Sequence, residues 1–124
     1  MFTNDDLIYA YTRKQALEDG VLIDASETAR AAGLRHPLAL TQAAWAECVA
    51  VPDAVLGEQD ETGRLWDVLN VLAFAAMVAK GPELRFTLDV KNSDDAPALV
   101  TLRAVCGPDD DGAPCITVML EGED

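Results

Sequence analysis

The sequence predicts an α+β domain in which several N-terminal helices pack on one face of a small three-stranded antiparallel C-terminal sheet. Three observations point there. Apolar residues recur at helical spacing as far as Ala79, and from Leu84 onward they alternate with a period of two. Half of the 124 residues are hydrophobic, which suffices for one core without a metal or a disulfide framework. No repeat or linker divides the chain, so residues 1–124 read as a single domain.

Each element has its own signals. "RKQALEDG", Arg13 to Gly20, is a short helix closed by a glycine that can take the left-handed cap. "VLID", Val21 to Asp24, can form a short strand. "SETARAAG" offers Ser26 as N-cap and Gly33 as stop. "LTQAAWAECVAV" is a helix with Thr41 as N-cap and Pro52 as terminator, and Ala44, Trp45, Cys48 and Val51 share its buried face. An acidic, turn-rich connector runs from Pro52 to Thr62. "GRLWDVLNVLAFAAMVAKGP" is the strongest helix, with Leu65, Leu69, Leu72 and Ala76 as its core stripe and Lys80, Gly81 and Pro82 as its end. The strands are Leu84 to Val90, Ala98 to Val105 and Cys115 to Leu120, joined in sequence as a meander.

The charge is the first functional signal. There are 22 acidic and 9 basic residues, a formal net charge of −13, and the acids are densest toward the C-terminus. Such a surface repels phosphate backbones and anionic headgroups, which argues against direct binding of nucleic acid or membrane and favours a basic partner. The start "MFTNDDLIYAYTRKQ" lacks a basic leader region. The longest apolar run, Val71 to Ala79, falls short of the roughly 20 residues that cross a bilayer. A cytoplasmic location is expected, and the odd count of three cysteines suits reduced thiols.

Motifs for chemistry are sparse. "VCGPDDDGAPCITVML" reads foremost as a solvated acidic hairpin tip. A redox clip between Cys106 and Cys115 is the second reading and a metal site the third, because three consecutive aspartates do not match the alternating ligands of a calcium loop and His36 alone does not complete a zinc set. A nucleophilic pair of His36 with Cys48 lacks an orienting third residue, so His36 reads as a loop histidine. "SETAR" and "DETGR" are explained by helix capping. The pairs Asp5–Asp6, Glu18–Asp19 and Asp94–Asp95 read as solvated faces. There is no phosphate loop, nucleophile elbow or two-histidine metal helix. No catalytic residue, metal ligand or cofactor is therefore assigned, and an enzyme is disfavoured.

The helix from Arg64 to Lys80 carries more apolar surface than one core requires. Trp45 and Trp66 read as core residues, yet Trp66 with Val71, Phe74 and Val78 can also line an interface.

The phrases "YTRKQALEDGVLIDASETARAAGLRHPLALTQAAW", "GRLWDVL" and "VCGPDDDGAPCITVMLEGED" resemble a family of small acidic bacterial proteins of unknown function associated with plasmids, phages and other mobile elements. The resemblance spans nearly the whole chain and brings no catalytic residues with it. Against its pattern Cys115 is atypical, which weakens any pairing with Cys106. It implies, by analogy, an inhibitor of host defence of the anti-restriction or anti-CRISPR type, some of which imitate DNA.

Three functions are thus expected, in order. The first is an acidic module that covers the basic, nucleic-acid-binding surface of a host protein, displaying Asp94, Asp95, Asp109, Asp110, Asp111, Glu121 and Glu123. The second is a non-catalytic homodimeric structural or adaptor protein that uses the apolar helix 64–80. The third is a small enzyme of unassigned reaction.

Overall fold

The computed structural model describes residues 12–93 and 95–123. The expectations placed on Asp5, Asp6 and Asp94 lie outside the described residues. Five strands and four α-helices alternate along the described chain: α1 (Arg13–Glu18), β1 (Leu22–Asp24), α2 (Ser26–Ala31), β2 (Leu38–Thr41), α3 (Gln42–Cys48), a 3-10 turn (Asp53–Val55), α4 (Glu61–Val78), β3 (Glu83–Val90), β4 (Ala98–Pro108) and β5 (Pro114–Leu120).

The expected three-stranded antiparallel sheet is corrected by this arrangement. The sheet has five strands in the order β1-β2-β5-β4-β3, and it is mixed, because β2 runs parallel to β5 while the other pairs are antiparallel. Helices are interspersed with strands instead of preceding them. The strand missed in the sequence is "LALT". Leu38, Ala39 and Leu40 are all buried, so both faces of β2 are covered and the strand has no alternation to detect.

Local signals explain most boundaries. Thr12 and Gln15 form a capping box on α1, and Thr41 Oγ1 accepts the Ala44 N–H at 3.1 Å as N-cap of α3. Gly20 and Gly33 close α1 and α2 with positive φ of 76° and 99°, each letting the next residue bond back into the last turn. Ser26 departs from expectation. Ala25 occupies the N-cap position of α2, and the Ser26 hydroxyl donates to Asp24 Oδ1 (2.6 Å) and accepts from Leu38 N–H (3.0 Å), stitching the β1–α2 corner to β2.

The core lies between the sheet and the layer formed by α2, α3 and α4. Leu38, Leu40, Leu102 and Val118 of the sheet meet Ala29, Ala44, Val49, Val68, Leu69 and Leu72. Strand β3 alternates as expected, with Phe86, Leu88 and Val90 inward and Arg85, Thr87 and Asp89 exposed. The stripe on α4 is Leu65, Val68, Leu69 and Leu72, and Ala76 is exposed, because the helix runs past the edge of the core after Leu72.

Candidate binding site

The acidic residues are less free than a display would require. Asp110 receives the backbone N–H groups of Arg13 and Lys14, both at 2.9 Å, on its two carboxylate oxygens, so it anchors the β4–β5 hairpin tip to the start of α1. Those bonds hold its carboxyl below the usual aspartate range. Asp109 Oδ1 accepts from the N–H groups of Asp111 and Ala113 and shapes the tip itself. Glu121 pairs with Arg85 at 2.9 Å, and Glu123 Oε2 accepts from the Thr41 hydroxyl (2.8 Å) and Leu120 N–H (2.7 Å). Asp95 and Asp111 are exposed, and their carboxylates have no partner among the described residues. A turn rule for Asp109, whose side chain bonds backbone two residues on, is the one sequence signal that separates it from its neighbours.

The two cysteines of the hairpin do not meet face to face. Cys106 lies opposite Ile116 and Cys115 opposite Gly107, so the pleat sends the two side chains to opposite faces of the sheet. All three cysteines are free, and among the described residues no group of three or more His, Cys, Asp or Glu side chains could hold a metal. Burial raises the Cys115 thiol above its ordinary value despite the nearby Arg13 guanidinium. Burial, helped by the Glu47 carboxylate, pushes Cys48 up to about 11. A thiol so protonated is a poor nucleophile at neutral pH. Cys48 lines a small crevice with Arg64, and His36 lines a separate cleft.

Arg64, a charged residue at the start of an otherwise apolar helix, is only 5% exposed. Its five N–H groups are all used. Nε donates to Cys48 O (3.0 Å), Nη1 to Gln59 Oε1 (2.9 Å) and Lys91 O (3.0 Å), and Nη2 to Glu47 O (3.2 Å) and Asn92 Oδ1 (2.6 Å). The guanidinium thus closes the carbonyl end of α3, where orphan acceptors and the negative dipole end favour a cation, and ties it to the end of β3.

The opposite end of α4 is open. Phe74, Met77 and Val78 are 77%, 80% and 82% exposed, and their spacing of three and four residues places them on one face. Trp66 is 41% exposed, and Val71 is partly buried against the core. Beside this face lies a cleft of about 630 Å³ between the C-terminal half of α4, the loop from Gly33 to Pro37, and the β3, β4 and β5 strands. Its walls include Leu34, Leu72, Met77, Leu84, Ala104 and Ile116, and its polar side chains are Arg35 and His36, with the Cys106 thiol beside them. Among the described residues none that line it is acidic. Among the described residues no helix is long and apolar enough to cross a membrane.

Compared with known proteins, the whole chain, residues 1–124, matches the model of one family, described as a family of unknown function (DUF6573). No curated protein and no solved structure matches it.

Proposed function

Since the chain belongs to DUF6573, a family of unknown function, we propose its role from its own surface: a non-catalytic adaptor that self-associates through the apolar C-terminal half of α4. The observation that carries this reading is the face formed by Phe74, Met77 and Val78, all more than three-quarters exposed. Clustered exposed apolar side chains of this kind mark contact surfaces, and aromatic residues and methionine are enriched there. Charge points the same way. From Val68 to Pro82 the sequence holds no acid, so two copies of a chain with net charge −13 can meet there with the least repulsion. A two-fold contact would place α4 of one copy against α4 of the other. Sedimentation velocity over a concentration series tests it. The chain should form dimers that Phe74→Asp converts to monomers with an unchanged far-UV circular dichroism spectrum, and a wild-type chain that stays monomeric throughout would remove the reading.

A second reading keeps the acidic surface as the binding element, covering a basic nucleic-acid-binding surface of a host protein in the cytoplasm. An association with plasmids and phages would supply such a partner among host defence proteins. Its support is the charge of −13 together with the carboxylates of Asp95 and Asp111, which have no partner among the described residues. The informative variant is Asp95→Asn with Asp111→Asn, because Asp109 and Asp110 hold the hairpin and their loss would confuse binding with folding. A pull-down from host lysate should recover a basic protein that high salt releases, and the double variant should recover less of it. Catalysis has no comparable support, because Cys48 is held protonated and His36 lines a different cavity.

A further inference from the structure

We propose that the cleft beside α4 is a binding site for a small amphipathic carboxylate, with an apolar body against Leu34, Leu72, Met77, Leu84 and Ile116 and its carboxylate at Arg35 and His36. Met77 belongs to both this cleft and the apolar face of α4, whereas Phe74 belongs to the face alone, so a change at Phe74 tests self-association without altering the cleft wall.

Size is the first argument. A cleft of about 630 Å³ falls within the roughly 300–1,000 Å³ of small-molecule sites, which are mostly apolar with a few polar groups that orient the ligand. The second is charge complementarity within an acidic chain. Of the 9 bases, Arg64 and Arg13 donate within the fold, and Arg85, Lys91 and Arg103 lie beside carboxylates in ion pairs. Lys14, Arg30, Lys80 and Arg35 have no side-chain partner among the described residues, and of these four Arg35 borders the cleft, with His36 beside it. Both are exposed, and among the described residues their side chains have no hydrogen-bond or ion-pair partner and no acid lines the cleft they border. The third is chemistry. A guanidinium presents a planar fork that matches a carboxylate, and imidazole adds a donor next to it. An uncharged apolar molecule would leave these donors unused, and a cation would be repelled by Arg35.

The cleft also contains its own reporter. Cys106 lines it and is partly exposed, whereas Cys48 and Cys115 are buried with raised thiol pKa, so a maleimide reacts first at Cys106. The experiment titrates the full chain with sodium decanoate, decanol and decylamine by calorimetry, and measures N-ethylmaleimide labelling of Cys106 alongside. Decanoate should bind one to one and slow labelling, and decanol and decylamine should bind about tenfold more weakly, as expected for loss of a hydrogen bond to a charged group. The double variant Arg35→Gln, His36→Gln should bring decanoate down to the level of decanol while leaving decanol unchanged. Decanol binding as tightly as decanoate, full labelling at saturating decanoate, or undiminished decanoate binding in the double variant would each overturn the proposal. Repeating the titration in Phe74→Asp separates the two ideas, because binding should persist there whether or not the wild-type chain dimerises.

Discussion

Arg64 and Arg35 both lie next to the helix layer, and they differ in what surrounds their donors. Arg64 is buried in the first turn of α4 and gives every N–H to an acceptor on α3, the connector or the segment after β3. Arg35 lies in the loop between α2 and β2, is exposed, and gives none within the described residues. The contrast separates a cation that holds the fold from one available to something else. Burial lowers the pKa of Arg64, and the nearby Cys48 and Glu47 favour its charged form, so its desolvation is offset by five fixed acceptors. Arg35 keeps its water and its freedom, so its removal touches no packing.

The largest effect should come from Arg64. Replacing it with Met removes the donor to the carbonyls of Cys48 and Lys91 and leaves Glu47 O with the Asn92 amide alone, and should cost about 3–5 kcal/mol in urea denaturation. Arg64→Lys should recover only part of this, since an ammonium has three donors and no planar fork. A loss below about 1 kcal/mol for Arg64→Met would mean that water replaces the guanidinium, and the contrast would collapse.

The same corner makes a pH prediction. Cys48 titrates near 9 when unfolded and near 11 when folded, so the folded state holds its proton more tightly. Its contribution is fully present below about pH 9 and is lost as pH rises toward 11, with a slope of at most about 1.4 kcal/mol per pH unit. Stability curves for the wild type and Cys48→Ala across that window should differ in slope, and parallel curves would dissociate Cys48 from the alkaline loss.

Asp110 falls between the two arginines, exposed yet committed to two backbone donors. Its folded pKa is depressed, so its contribution is present above the ordinary aspartate value and lost as pH falls through the folded one. Asp110→Asn should therefore destabilise at neutral pH but not at strongly acidic pH, with faster amide exchange in α1 as the local readout. The smallest effect should be that of Arg35→Gln, within about 0.5 kcal/mol of wild type in urea. A larger loss would place Arg35 in the fold and remove it from the cleft's free groups.

Where the sequence reading succeeded, a local rule applied. The glycine stops at Gly20 and Gly33, the cap at Thr41 and the alternation of β3 all follow from chain-local geometry. Strand β2 failed that test because its coverage on both faces erases the period. The inward turn of Arg64 was invisible for another reason. Its acceptors lie up to 28 residues away, at Asn92, and nothing near position 64 announces them. The acidic loops illustrate the same limit, since the anchoring of Asp110 depends on Arg13 and Lys14, 97 and 96 residues before it.

By itself the sequence determined the α+β character of the chain, the glycine stops at Gly20 and Gly33, the Thr41 cap, the alternating strand and the net charge of −13, because each depends on neighbours within a few residues or on a sum over all of them. Only the tertiary structure decided the parallel pairing of β2 with β5, the burial of Arg64, the parting of Cys106 from Cys115 across the sheet, and the meeting of Arg35 and His36 with an apolar cleft. Those outcomes depend on which distant segments share the core, and on which polar groups find partners there once water is excluded.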